Sequence, residues 1–241
     1  TMDFYQWYAG VQLDMGELPA GPVSWYAGAE YNDWVYADKY DAQSEAGNII
    51  GSSGNSSGGV RDVTAAYVES LVPITEQVEL NLAGRFDDYS DFGSAFSPKA
   101  SLRYQPLDNL ILRSSWPSSF RAPSLSDLYA ADSYSADWAK DYVYCEANGI
   151  SAADCPNRQY DTTRTSNEEL KEETADTWNF GVAYSPVDDL NLSLDYYTIK
   201  IEDVIQLNSL QSVIYDELNN GGSSNRSEER RVGKECVPSC R

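Results

Sequence analysis

The sequence predicts an all-β chain that forms part of a large antiparallel transmembrane β-barrel, with about eight strands present. Three observations predict it. Apolar and polar side chains alternate with a period of two along several segments, so each segment carries one greasy and one polar face. Short turns rich in Pro, Asp and Asn join these segments in pairs, and long polar connections separate the pairs. No apolar run approaches the roughly 18 residues that a membrane helix requires, so a crossing must be made by strands.

The first pair is Phe4–Met15 and Val23–Trp34, joined by Gly16–Gly21. A polar stretch of about 36–59 follows, ending in the Ser/Gly/Asn-rich run Gly51–Gly59, with too little apolar surface for a core element; it reads as a loop. Arg61–Val72 and Val78–Asp88 form the next pair, through Pro73–Gln77. Here Val78, Leu80, Leu82 and Phe86 alternate with Glu79, Asn81, Arg85 and Asp87. Ala95–Gln105 and Leu110–Trp116 follow, joined by Pro106–Asn109, with Phe96, Ala100, Leu102 and Tyr104 opposed to Ser97, Lys99, Ser101 and Arg103. A second long polar stretch, about 130–169, leads to Lys171–Ser185 and Asn191–Lys200. Their apolar faces are Trp178, Phe180, Val182 and Tyr184, then Leu192, Leu194 and Tyr196. Strands of this length suit the ~9–11 residues of a tilted bilayer crossing, and the alternation of short turns with long loops places every short turn at one end of a barrel.

Composition narrows the function. The chain of 241 residues carries 38 acidic and 17 basic side chains, a formal charge of −21, which argues against a nucleic-acid partner. It contains no His, so an imidazole metal site, a His-based triad and a haem-ligating His are excluded. No Gly-x-Ser-x-Gly or phosphate-cradling glycine loop occurs either. The reading is a non-enzyme without a cofactor or metal site.

Five short motifs stand in a fixed order: Gly84–Tyr89, Ser97–Pro106, Phe120-Arg121-Ala122-Pro123-Ser124, Asn167–Thr174, and Leu194–Tyr197 with Ile201–Asp203. From Val60 to about Asn208 this order resembles the C-terminal half of the barrel of a TonB-dependent outer-membrane receptor. The resemblance implies residence in the outer membrane of a Gram-negative bacterium and a lumen filled by an N-terminal plug domain, absent from this chain. It also implies energy from the TonB complex acting through that plug, and active uptake of a scarce ligand. A ferric siderophore is the default cargo, with cobalamin or an oligosaccharide next. A passive porin or structural barrel, and a soluble β-rich binding or adhesion domain, are the rival readings. One departure from the family pattern is Trp116-Pro117-Ser118-Ser119, where relatives carry small residues; a proline lacks the ladder donor, so the strand is expected to leave the barrel early.

Several residues acquire expected roles from this frame. Phe120, Arg121, Ala122 and Pro123 form a structural motif, with Arg121 bonding loop carbonyls or a carboxylate at the rim. Lumen-facing Arg85, Lys99, Arg103 and Arg113 pair with Glu79, Asp87 and their neighbours or meet the plug. Cys145 and Cys155, ten residues apart in a loop that matures in an oxidising compartment, are expected to be disulfide-bonded, a constraint of about 3 kcal/mol for a loop of this size. Trp138, Tyr142, Tyr144 and Tyr160 flank that pair; they either offer a substrate-binding aromatic surface to a siderophore, corrinoid or sugar ring, or pack the loop.

The last segment differs in kind. Arg226–Cys236 resembles the in-frame translation of a sequencing-library adapter, and 226–241 holds five basic against three acidic residues. Without it the count is 12 basic and 35 acidic, or −23. The expectation is therefore a barrel fragment over 1–225, truncated at both ends, followed by a non-native tail whose Cys236 and Cys240 carry no function.

Overall fold

The computed structural model describes residues 1–46, 48, 49, 52, 53, 56–219 and 236–238. Eight strands form one antiparallel sheet: β1 (Met2–Leu18), β2 (Gly21–Asp38), β4 (Ser57–Thr75), β5 (Val78–Tyr89), β6 (Gly93–Leu107), β7 (Leu110–Arg121), β10 (Glu173–Val187) and β11 (Leu190–Glu202). They lie in chain order, β1-β2-β4-β5-β6-β7-β10-β11, so the sheet is a meander with β1 and β11 at its two open edges. Each of the eight segments read from periodicity lies at one of these strands.

Register separates the faces cleanly. Leu80 stands opposite Leu102, Leu82 opposite Ala100, and Phe86 opposite Phe96; one residue on, Arg85 faces Ser97 and Asn81 faces Ser101. Because side chains alternate across the pleat, one surface collects Leu82, Phe86, Phe96, Leu102, Phe180 and Leu194, all exposed, and the other collects the charged and amide groups. The first surface is the lipid face and the second the lumen face.

Four two-residue turns, at residues 19–20, 76–77, 108–109 and 188–189, lie at one end of the sheet. Each is preceded by a break in register, between Asp14 and Glu17, Pro73 and Thr75, Tyr104 and Leu107, or Tyr184 and Val187. Such bulges sharpen the local twist next to a tight turn.

The structure corrects two expectations and refines a third. The strands run further toward the long-loop end than the apolar pattern does: Tyr36, Ala37 and Asp38 pair with Gly59, Gly58 and Ser57, because a backbone ladder continues where no apolar side chain marks it. The long and short connections do not alternate strictly, since β5 and β6 are joined at the long-loop end by only Ser90–Phe92. At Pro117 β7 parts from β6, as expected, but it does not leave the sheet, because residues 118–121 stay paired with β10. Pro117, opposite Lys99, is the last residue of β7 paired with β6, while the pairing with β10 skips Trp116 and Pro117 and resumes at Ser118 and Asp176 in the same register; the missing N–H ends one ladder and interrupts the other.

The two long connections also contain regular structure. Within 36–59 lie α1 (Ala42–Glu45), capped by Asp41, and β3 (Ser52–Ser53). After β7 come α2 (Leu125–Tyr129), β8 (Ser133–Lys140), α3 (Tyr142–Ala147) and β9 (Asn157–Arg164); α4 (Leu210–Asn219) follows β11. A second sheet has the order β12-β9-β8-β3, where β12 is Cys236–Pro238. The rest of the 226–241 tail lies outside the described residues, as does most of Gly51–Asn55. No described helix is long and apolar enough to cross a membrane.

Candidate functional site

The lumen face is organised by aromatic rings and arginines lying across strands. At Gly28 of β2 a Cβ would sit 2.5 Å from the Tyr67 ring, so only glycine admits that ring, which stacks on Tyr26 with centroids 5.8 Å apart. The Arg85 guanidinium lies over the other side of this group, 5.6 Å from the Tyr67 centroid, and reaches Asp87 (2.9 Å) and Glu30 (3.2 Å). Further along, Arg113 grips Asp195 through both carboxylate oxygens at 2.6–3.0 Å, crossing Gly181, where a Cβ would lie 2.4 Å from Arg113 Nε. Arg103 donates to Gln105 rather than to Glu79, which stands opposite it in register.

The Phe120–Ser124 motif makes the rim. Arg121 donates to both oxygens of Glu173, its cross-strand neighbour, at 2.6 and 2.5 Å. Glu173 also accepts the Ile205 N–H, tying the segment after β11 to the ends of β7 and β10. Phe120 meets Tyr89 edge-on, with centroids 5.9 Å apart. Pro123 is fully buried, and its carbonyl accepts from Arg61 Nη2 at 2.8 Å. Ser124 then caps α2 with a reciprocal Ser124–Asp127 box, turning the chain over the lumen face of β4. There Leu125 and Leu128 bury against Val63 and Ala65, a small core at the mouth of the barrel.

Beneath this roof lies a cleft of about 500 Å³, lined by Glu30, Asn32, Trp34 and Tyr36 of β2, Arg61 and Val63 of β4, Arg85, Asp87 and Tyr89 of β5, and Ala122, Ser124, Leu125 and Ser126. Arg61 bonds Asp91 at 2.7 Å with both side chains nearly buried, and stacks on Tyr89 and Phe92. This cleft was not read from the sequence. Glu30, Asn32 and Trp34 share one face of a strand that was recognised, but Tyr36 was read as loop and the roof comes from 62 residues beyond Arg61.

The predicted aromatic surface is divided. Cys145 and Cys155 are bonded and buried, with Cα atoms 5.9 Å apart. Tyr142 and Tyr160 pack into a small core with Ala139, Val143, Leu210 and Ile214, and Tyr142 stacks against Tyr215 of α4 at 5.2 Å. Gln211 of α4 clasps both the N–H and the C=O of Lys140. Trp138 points the other way and is 63% exposed, and Tyr144 lies at the surface under Arg158, 5.0 Å from its guanidinium carbon. Two of the four rings are thus structural and two remain available. On the inner face of the β8–β9 hairpin, burial opposes ionisation of Asp137, but hydrogen bonds from Thr162, Ser135 and Arg164 outweigh it and hold the carboxyl below its usual range. No cluster of metal-ligating side chains occurs among the described residues.

Residues 1–227 match the family model described as TonB dependent receptor-like, beta-barrel. Solved structures with the same fold include the siderophore receptor PirA from Acinetobacter baumannii, at 18% identity and a TM-score of 0.61, covering 84% of this chain and 27% of that one. PirA from Pseudomonas aeruginosa gives 18% and 0.58, covering 83% and 32%. A mutant of the ferric enterobactin receptor PfeA from P. aeruginosa, in complex with enterobactin, gives 18% and 0.64, covering 85% and 28%. The chain thus spans roughly a third or less of the length of these structures. No curated protein sequence matches it.

Proposed function

The chain belongs to the TonB-dependent receptor β-barrel family, and from that premise we propose that it is part of the barrel wall of an outer-membrane receptor. That receptor captures a scarce ligand at its long-loop end and takes it up with energy delivered by the TonB complex through a plug domain. The reading is carried by the two-faced sheet, whose outer surface is apolar and whose inner surface ends at the long-loop side in a roofed cleft. A ferric siderophore is the proposed cargo, supported by the PirA and PfeA likeness in fold. Exposed Trp138 and Tyr144 are the proposed first contacts, since a flat ligand ring finds there an aromatic face already in place. The lipid face seats the strands in the outer membrane of a Gram-negative cell.

The test begins with long-read sequencing of the source DNA across both ends of this frame. The expected result is an upstream plug domain with an export signal, and natural coding that diverges from the present sequence after about residue 225. The full-length product is then supplied to a TonB-proficient strain lacking its own siderophore receptors. Iron uptake that stops when TonB is deleted supports the reading. A natural start near Thr1 with a stop after Arg241, or uptake indifferent to TonB, rejects it.

A further inference from the structure

Both arginines at the roofed cleft are committed to internal partners. Arg61 spends its donors on Asp91 and the Pro123 carbonyl, with its faces covered by Tyr89 and Phe92. Arg85 spends its own on Asp87 and Glu30. Arg61 and Asp91 neutralise each other, while Arg85 answers two carboxylates, so the cleft carries one surplus negative charge. It also carries an acceptor without a donor. Asn32 is 7% exposed; its amide nitrogen donates to Glu30 at 2.6 Å, and its Oδ1 has no hydrogen-bond partner. A buried acceptor of this kind carries a desolvation penalty that an N–H from a ligand would relieve. Trp34 and Tyr36 add ring surface beside it, which attracts cations and repels anions, while the Tyr89 ring is already engaged by Arg61.

We propose that this cleft is a subsite for a cationic, N–H-donating group carried on a flat apolar body, and that it selects against anionic ligands. The inference rests on the receptor reading for its place on the uptake path, and it narrows the cargo to molecules with a protonated amine or guanidine arm. An anionic group entering the cleft meets Glu30 and Asp87 and finds no arginine free to answer it.

The test uses the full-length receptor in detergent, titrated with tryptamine and with indole-3-propionate, probes of matched ring and opposite charge. Calorimetry gives affinity, and saturation-transfer NMR shows whether the ring is in contact. Tryptamine is expected to bind roughly tenfold tighter or more. Asn32→Leu should weaken tryptamine selectively, and Glu30→Gln should erase the charge preference while ring contact persists. Retained heat-modifiable mobility shows that each variant is folded. Equal affinities, a preference for the propionate, or indifference of tryptamine to both substitutions overturns the proposal. The readout is independent of transport. Energised iron uptake without charge-selective binding rejects the subsite alone, whereas charge-selective binding without TonB-dependent uptake rejects the transporter reading and keeps the subsite.

Discussion

At the scale of single residues, the lumen face is controlled by whether a charged group has its partner. The Arg61–Asp91 pair is nearly buried, with side chains 9% and 3% exposed. Arg61→Ala would leave Asp91 buried and unanswered and would free the Pro123 carbonyl, at a cost of about 3–5 kcal/mol. The outcome to measure is a lower unfolding midpoint of the receptor, with increased amide exchange concentrated at 122–130. Arg113–Asp195 is a different case, because both side chains are substantially exposed (51% and 37%). Surface pairs of this kind contribute about 0–1 kcal/mol. Gly181→Ala, which displaces Arg113, should therefore abolish the ion pair in a structure of the variant yet shift the midpoint little. The two sites look alike in sequence, an arginine on a strand facing the lumen, and only burial separates them. Alternation in the sequence located Arg85, Arg103 and Arg113 on the lumen face but fixed no single partner for any of them; the flexible Arg103 side chain reaches Gln105 on its own strand.

At the scale of elements, the long loop after β7 is a small folded unit. Its hairpin carries few apolar residues, so the periodicity that marked the barrel strands was absent, and the segment read as polar loop. What folds it is satisfaction of polar groups: Thr162, Ser135 and Arg164 converge on Asp137, and the Cys145–Cys155 bond fixes α3 over the inner face. α4, from a different connection, completes the core through Leu210 and Ile214. Replacing both cysteines with serine should loosen the loop by about 3 kcal/mol and raise amide exchange in both 133–164 and 210–219, while the barrel strands stay unchanged. Exchange confined to the hairpin would show that α4 holds on independently. The Asp137 carboxyl adds a pH dependence. Because folding lowers its pKa, the stabilisation is present above the ordinary aspartate value of about 4 and is lost as pH falls through the lowered one. Protection of the hairpin, corrected for intrinsic exchange, should therefore drop on acidification below roughly pH 4, and Asp137→Asn should remove that dependence.

At the scale of the whole molecule, the sheet has two solvents, and substitutions on its two faces should have opposite consequences. Leu82 lies on the lipid face in the middle of β5, and Asn81 beside it faces the lumen. Leu82→Lys should cost about 2–4 kcal/mol in a bilayer and reduce assembled receptor in outer membranes, whereas Asn81→Lys should be tolerated. Equal tolerance at the two positions would argue for a water-exposed sheet and the soluble reading. The sheet is also open. β1 and β11 each present an unpaired edge, and lipid offers no hydrogen bonds to satisfy it. This chain reconstituted by itself is therefore expected to give no discrete single-channel conductance.

The sequence by itself determined that these eight segments are strands, which face meets lipid in β5, β6, β10 and β11, and that the Pro/Asp/Asn turns share one end of the sheet. These properties are local: alternation follows from the pleat of the backbone, and turn chemistry from a few adjacent residues. Only the tertiary structure decided that Arg121 answers Glu173, that Arg61 holds the Pro123 carbonyl under a roof formed by α2, and that α4 closes the disulfide loop. Each of those contacts joins residues 50 or more positions apart. Their partners are chosen by where the long connections return over the sheet, which no local period records.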